Sequence, residues 1–247
     1  MSYKSEKVKP YNSEEAKRTQ VEHMFDAIAS QYDKLNSWLS FGLDKRWRRK
    51  ALKKIKKYHA GHMLDIAIGT ADSAILAYDI LHPEKIIGID ISDGMMEVGR
   101  KKVKELGLDK VISFQNQDCA SMTFPEGSFD SVITLFGVRN FENIDHCFEE
   151  IFRVLKPGGV FMFLELTTPR YQPIKFFYEI YSKSFIPFFT RLFAKDKSAY
   201  GYLPQSIKAF PLGKEMVKVL QKIGFLNVKK WSVTMGVCTI FVAQKAK

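Results

Sequence analysis

The segment Met63-Leu64-Asp65-Ile66-Ala67-Ile68-Gly69-Thr70-Ala71-Asp72 constrains this chain more than any other. An apolar run ends there in a turn of small residues. About one βα unit later, Ile86-Ile87-Gly88-Ile89-Asp90 repeats the apolar run and ends in a carboxylate. Two such runs are buried together most readily as parallel strands with helices on both faces. The first turn then offers backbone N–H groups at a helix start, at the strand ends where ligands bind. A carboxylate on the second strand tip can accept hydrogen bonds from two vicinal ribose hydroxyls.

The turn does not read G-x-G-x-x-G, so it lacks the glycines that let a pyrophosphate press against a helix N-terminus. Asp65 and Asp72 flank it instead. Carboxylates repel a pyrophosphate and suit a cationic ligand. S-adenosylmethionine carries a sulfonium and an ammonium and no phosphate, so the pattern favours it over a dinucleotide. The competing reading is an ordinary strand–turn–helix with a solvated aspartate.

With 247 residues, of which 46% are hydrophobic and 13% aromatic, the chain can bury one ample α/β core and is not of disordered type. Cys119, Cys147 and Cys238 form no C-x-x-C pair, which predicts buried thiols in a reducing cytoplasm. No two histidines are spaced as a metal pair, so no metal is expected. The first sixteen residues lack the apolar core of a signal peptide, and no stretch reaches the roughly 20 apolar residues of a membrane span.

Apolar periodicity predicts strands at 62–67, 85–91, 111–116, 129–136 and 159–166. Helices are predicted at 72–81, 94–107 and 143–155. Lys156-Pro157-Gly158-Gly159 breaks the last of these and turns into the fifth strand. A further helix at 213–223 precedes strands at 225–232 and 236–244, joined as a hairpin at Met235-Gly236. The expected fold is a single Rossmann-like α/β domain spanning 21–247, with a seven-stranded, mostly parallel sheet and a terminal antiparallel hairpin. Residues 1–20 read as a mobile polar lead-in, 21–60 as a helical cap, and 171–212 as an aromatic-rich insertion or lid before the last strands.

Two segments stand outside that frame. Lys45 to Lys57 reads KRWRRKALKKIKK, nine basic residues and no acidic one, and it dominates a net charge of +11. Trp47, Ala51, Ile55 and Tyr58 give it one apolar stripe. A solvated face, an anionic lipid surface or a nucleic acid each accounts for such a helix. Residues 171–195, YQPIKFFYEIYSKSFIPFFTRLFAK, are aromatic but broken by Pro173 and Pro187. They suit a helical lid over an apolar pocket, an interfacial segment, or plain core packing.

More selective segments are FDAIASQYDKLN from Phe25, FGVRN from Phe136, RVLKPGG from Arg153, Leu164-Glu165, and YGYLPQSI from Tyr200 with Phe210-Pro211. Together with the cofactor turn they resemble the ubiquinone/menaquinone biosynthesis C-methyltransferases, within the class I S-adenosylmethionine-dependent methyltransferases. The resemblance runs from about Val21 to the C-terminus. It implies methyl transfer to a ring carbon of a prenylated quinol, most directly demethylmenaquinol to menaquinol, with the ubiquinone-branch benzoquinol left open. It places cofactor contacts on Thr70, Asp90 and Asp118-Cys119, beside Asp65 and Gly69 of the first turn. Two positions depart from the family's Gly-Gly-Thr-Gly turn: Ile68 adds bulk, and Ala71 cannot take a left-handed φ cheaply.

A methyl sulfonium is already activated, so the site must align it with a nucleophilic carbon. A quinol carbon becomes nucleophilic when its neighbouring hydroxyl is deprotonated, which calls for a proton route and an oxyanion stabiliser. Arg139 and Asn140 follow the fourth strand, and Tyr32 lies in the N-terminal cap. They are the expected catalytic residues, with Arg139 as stabiliser, Asn140 orienting water or a quinol oxygen, and water carrying the proton. The structural alternative pairs Arg139 with Glu142 or Asp145. The expected partners are the prenylated quinol and peripheral membrane lipid at the inner face of the membrane. No nucleic acid is expected, and a homodimer is left open. The competing functions are an RNA or protein methyltransferase using the basic helix, and a non-catalytic module that binds the cofactor.

Overall fold

In the computed structural model, residues 3–186, 197–211 and 213–247 are described. Helices α1 (Lys17–Ile28), α2 (Tyr32–Leu39) and α3 (Leu43–Ile55) precede the first strand. The alternating core follows as β1 (His62–Ile66), α4 (Asp72–Leu81), β2 (Lys85–Asp90), α5 (Asp93–Glu105), β3 (Ile112–Asn116), β4 (Phe129–Leu135), α6 (Ile144–Val154) and β5 (Leu155–Leu166). After it come α7 (Ile174–Ile180), a π-helical turn at Tyr181–Phe185, α8 (Lys197–Ala209), α9 (Gly213–Ile223), β6 (Leu226–Val233) and β7 (Cys238–Gln244).

The strands form one sheet in the order β3-β2-β1-β4-β5-β7-β6. All pairings from β3 to β5 are parallel, and β7 runs antiparallel to both neighbours. This is the expected doubly wound sheet with its closing hairpin. Strand order reverses between β1 and β4, which opens a crevice at their carboxyl ends.

Alternation along the strands divides the core. Val160, Met162 and Leu164 of β5 join the layer under α3 and α4, while Phe161 and Phe163 join the layer under α6 and α9. Helix α6 earns its place by spacing: Ile144, Cys147, Phe148, Ile151 and Val154 make one buried stripe. The Asn143 side chain caps its first turn by accepting from His146 N.

Three expectations need correction. Residues 3–20 are not a detached lead-in. A 3₁₀ turn at Lys4–Lys7 docks on α6, with the Tyr3 hydroxyl donating to Asp145 at 2.5 Å and Glu6 accepting from Ile144 N at 2.8 Å. Lys17 is 1% exposed because its ammonium donates to three carbonyls, those of Ser5, Arg139 and Phe141. Lys156 to Gly159 does not precede the fifth strand but lies inside it. Leu155 already pairs with Phe129, and the register slips before Ser131 meets Val160. Finally, Cys119 and Cys147 are joined as a disulfide across a Cα separation of 5.3 Å, where free thiols were expected. The loop after β3 and helix α6 bring them together, and a sequence separation of 28 residues hides that in the sequence.

Candidate active site

The turn after β1 is built on left-handed backbone: Ala67, Gly69 and Ala71 have φ of 57°, 53° and 65°. Ala71 therefore does take the conformation that alanine disfavours, at a cost of roughly 1–2 kcal/mol. Its reward is a helix α4 whose N-terminus faces the crevice. Ile68 lies in the cleft lining. It packs over Gly88, where an added Cβ would lie 2.0 Å from Ile68 Cδ1. The missing side chain of one strand makes room for the bulky turn residue of its neighbour.

A cleft of about 1060 Å³ runs along the ends of β4, β1, β2 and the loop after β3. Tyr32, Gly69, Thr70, Asp90, Asp118, Cys119 and Asn140 line it, bringing together most of the residues singled out in the sequence. At its centre, Asp90 Oδ2 accepts from Gly69 N at 2.8 Å and Oδ1 from Ser92 N at 3.0 Å. Burial nevertheless raises the Asp90 carboxyl to about 6, against those bonds. Asp65 does not line the cleft. It lies on β1 beneath the turn, 1% exposed, with both carboxylate oxygens unpaired. Burial raises it to about 8; the nearby Arg48 charge opposes the rise and Asp90 adds to it.

The N-terminal cap roofs this cleft at three points. Arg18 Nε pairs with Asp118 at 3.0 Å. Asp26 accepts from Ser92 Oγ at 2.6 Å and from Gly94 N at 2.9 Å. Asp33 accepts from Thr70 Oγ1 at 2.6 Å and pairs with Lys102, which also holds Asp72. Asp26, Asp33 and Arg18 thus each grip the loop of a different strand. Asp118, Cys119 and Cys147 also bring metal-ligand atoms within 4.8 Å of one another, but the sulfurs are bonded together and Arg18 holds Asp118.

Beside the cleft lies a second cavity of about 1210 Å³, mostly apolar. Leu39, Phe41, Trp47, Phe177, Tyr181 and Ile186 are among its walls. Tyr32, Arg48 and Phe136 line both cavities and so form the wall between them. Arg139 faces this second cavity. It pairs with Glu165 and not with Glu142 or Asp145: Nη1 donates to Glu165 Oε1 at 2.6 Å, and its backbone N to Oε2 at 3.1 Å. Glu142 instead accepts from Lys17 N, and Asp145 from Tyr3. Nη1 also donates to the Phe136 carbonyl at 2.7 Å, while the buried Nε has no partner. Asn140 Oδ1 accepts from the Tyr202 hydroxyl at 3.1 Å. Tyr32 is pushed up by burial, and the charges of Arg48 and Arg139 pull it back.

A model of the ubiE/COQ5 methyltransferase family matches residues 13–245. The chain belongs to that family. Within the ubiE/COQ5 family, a demethylmenaquinone methyltransferase of Bacteroides fragilis is 50% identical over 99% of this chain and all of its own length. One of Porphyromonas gingivalis is 39% identical over 97% of this chain and 98% of its own length. Among solved structures, the [4+2]-cyclase SpnF superposes with a TM-score of 0.68 at 16% identity, covering 93% of this chain and 96% of its own. A Haemonchus contortus phosphoethanolamine N-methyltransferase 2 crystallised with S-adenosyl-L-methionine gives 0.67 at 17% identity, covering 92% of this chain and 60% of its own. At such identities the likeness carries the fold alone, and a cyclase among these neighbours illustrates why.

Sequence reasoning missed several residues. Glu165 carried no assigned role although its dipeptide was noticed. Lys17 was hidden in the polar lead-in. Arg48 belongs to the basic helix for which a solvated face, a lipid surface and a nucleic acid were the open readings, yet it is 8% exposed. The apolar stripe through Trp47 and Ala51 was the available signal for Arg48, since position 48 lies one turn before Leu52 on the same buried side.

Proposed function

We propose that this chain transfers the methyl group of S-adenosylmethionine to a ring carbon of demethylmenaquinol, giving menaquinol. Two adjoining cavities, one lined by the turn after β1 with Asp90 and Asp118, the other mostly apolar, share a wall of Tyr32, Arg48 and Phe136 and carry this reading. The names of the Bacteroides and Porphyromonas relatives point to the same substrate.

The cleft residues fit the cofactor. Asp90 accepts one backbone N–H on each oxygen and keeps further lone pairs for ribose hydroxyls, and Asp72 in the cleft lining favours a cationic ligand. Asp118 and the Cys119 backbone take the adenine edge. When bound, S-adenosylmethionine supplies an activated methyl group on a sulfonium.

The protein's own work falls on the quinol side. Glu165 and the Phe136 carbonyl fix the Arg139 guanidinium, which leaves its Nε as an unspent donor. A donor held this way stabilises a quinolate oxygen without reorganising during the reaction. Burial works against the Arg139 charge, but the charge and hydrogen bond of Glu165 help outweigh it and keep the guanidinium protonated, so it acts as stabiliser and not as base. Tyr32 orients the ring from the shared wall. Asn140, held by Tyr202, orients the water that removes the hydroxyl proton.

The prenyl tail leaves through a rim of exposed Phe41, Tyr171, Phe176, Phe177 and Ile180. We read this rim, with the outward lysines and arginines of α3, as the surface that meets an anionic bilayer. Among the described residues no helix is long and apolar enough to cross one. Transfer of labelled methyl to reduced demethylmenaquinone in liposomes, against benzoquinol and RNA controls, tests the function. Label on the naphthoquinol ring is the expected result, and label on RNA alone overturns it.

A further inference from the structure

Methyl transfer in the apolar cavity has a proton to dispose of. A C–C bond forms at the ring, the C–S bond of the donor breaks, and the donor becomes a neutral thioether. The hydrogen of the methylated ring carbon departs as a proton, so each turnover releases one. An apolar cavity is a costly place to hold it as hydronium. Among the described residues that line this cavity, only Asp44 carries a carboxylate. The other ionisable groups of the lining are poor acceptors. Arg48 and Arg139 bear guanidinium groups, which take up no proton. Tyr32, Tyr178 and Tyr181 are pushed up by burial and keep theirs.

Asp44 stands in the first turn of α3 and is 8% exposed. Its Oδ1 accepts from Ser40 Oγ at 2.8 Å, which leaves Oδ2 without a protein partner among the described residues. The same residue also lines a groove between α2, α3, α4 and α5, where Lys34, Arg46, Arg49 and Asp79 are exposed to solvent. One carboxylate thus borders the quinol cavity and an outlet to water. We propose that the water oriented by Asn140 hands the quinol's proton to the Asp44 carboxylate, which releases it into the groove. This role rests on the quinol reading above. A carboxylate in a first helical turn also has a structural use, since it meets the positive end of the helix. The two roles respond differently to an added base.

Steady-state methylation of reduced demethylmenaquinone in liposomes tests the relay. Asp44→Asn, which keeps the shape of the side chain, is expected to lower kcat about 100-fold. The quinol KM and S-adenosylhomocysteine affinity should stay within about twofold. In Asp44→Ala, added formate should raise the rate about tenfold and leave the parent unchanged. A ring-halogenated quinol, whose hydroxyl is more acidic, should shrink the Asp44→Asn deficit to about tenfold. Turnover of Asp44→Asn within about threefold of the parent overturns the assignment. A deficit equal for both quinols and unmoved by formate also overturns it, and confines Asp44 to starting α3. If Asp44→Ala does not fold, the two quinols compared on Asp44→Asn decide alone. Failure of the parent to methylate reduced demethylmenaquinone would strike down the quinol reading itself, a result distinct from all of these.

Discussion

The two cavities are made differently. The cofactor cleft is built from strand ends and the turns that follow them, so neighbours in sequence supply most of its floor. The apolar cavity is assembled from α2, α3, α7, α8 and the β6–β7 connection, elements from both ends of the chain. The cleft floor therefore follows from the sheet, whereas the cavity follows from what is packed upon the sheet. The same sheet can thus serve a methyltransferase and a cyclase, as the structural neighbours show.

If this division is sound, substitutions should separate cofactor binding from turnover. The largest effect is expected at Arg139. Arg139→Lys should lower kcat by about 10²–10³ with S-adenosylhomocysteine affinity within about twofold. Parallel losses in turnover assays and calorimetry would break the division.

Asp65 comes next, through stability. Its folded value of about 8 lies above the ordinary aspartate value, so the native state holds the extra proton. The associated stability is full in acid and lost as pH rises toward 8. Asp65→Asn holds no such proton. From pH 5 to pH 8, denaturant titrations of the ligand-free protein should favour the variant by about 3 kcal/mol relative to the parent. A pH-independent difference would remove Asp65 from its buried, uncharged state.

Asp90 tests the centre of the cleft. Nucleoside affinity should fall as pH drops through about 6, where the carboxyl takes up its proton. Asp90→Asn should bind about 10-fold more weakly and flatten that profile. The apolar cavity is tested by Phe177→Ser, which should raise KM about fivefold for a long-chain quinol and leave a tailless quinol unaffected. The smallest effect is expected at Ala71→Gly. Relief of left-handed strain should add less than about 1 kcal/mol, offset in part by the lost methyl group, as read by thermal melting.

Most of the sheet was legible because each buried strand is a contiguous apolar run closed by a turn residue. Gly69, Thr70 and Asp90 were legible for the same reason, since they end such runs. What could not be read depends on pairs remote in the chain. Arg139 suggested Glu142 and Asp145 because they are near in sequence, yet the sheet delivers Glu165 from the next strand. The polarity of residues 3–17 suggested solvent, because a lysine whose ammonium is satisfied by three carbonyls looks like any other in the sequence. The Lys156–Gly159 turn was recognised, but its place inside the strand depends on register with β4.

The Lys17 strap has a consequence for how the molecule comes together. The ammonium and the Arg139 carbonyl it holds are 122 residues apart, and the Tyr3–Asp145 link spans 142. Contacts of such separation form only after a costly loop closure, whereas successive βαβ units close short ones. The turn bearing Arg139 is thus expected to lock after the central sheet is in place. Loosening the strap should then hasten unfolding while leaving the refolding rate nearly untouched.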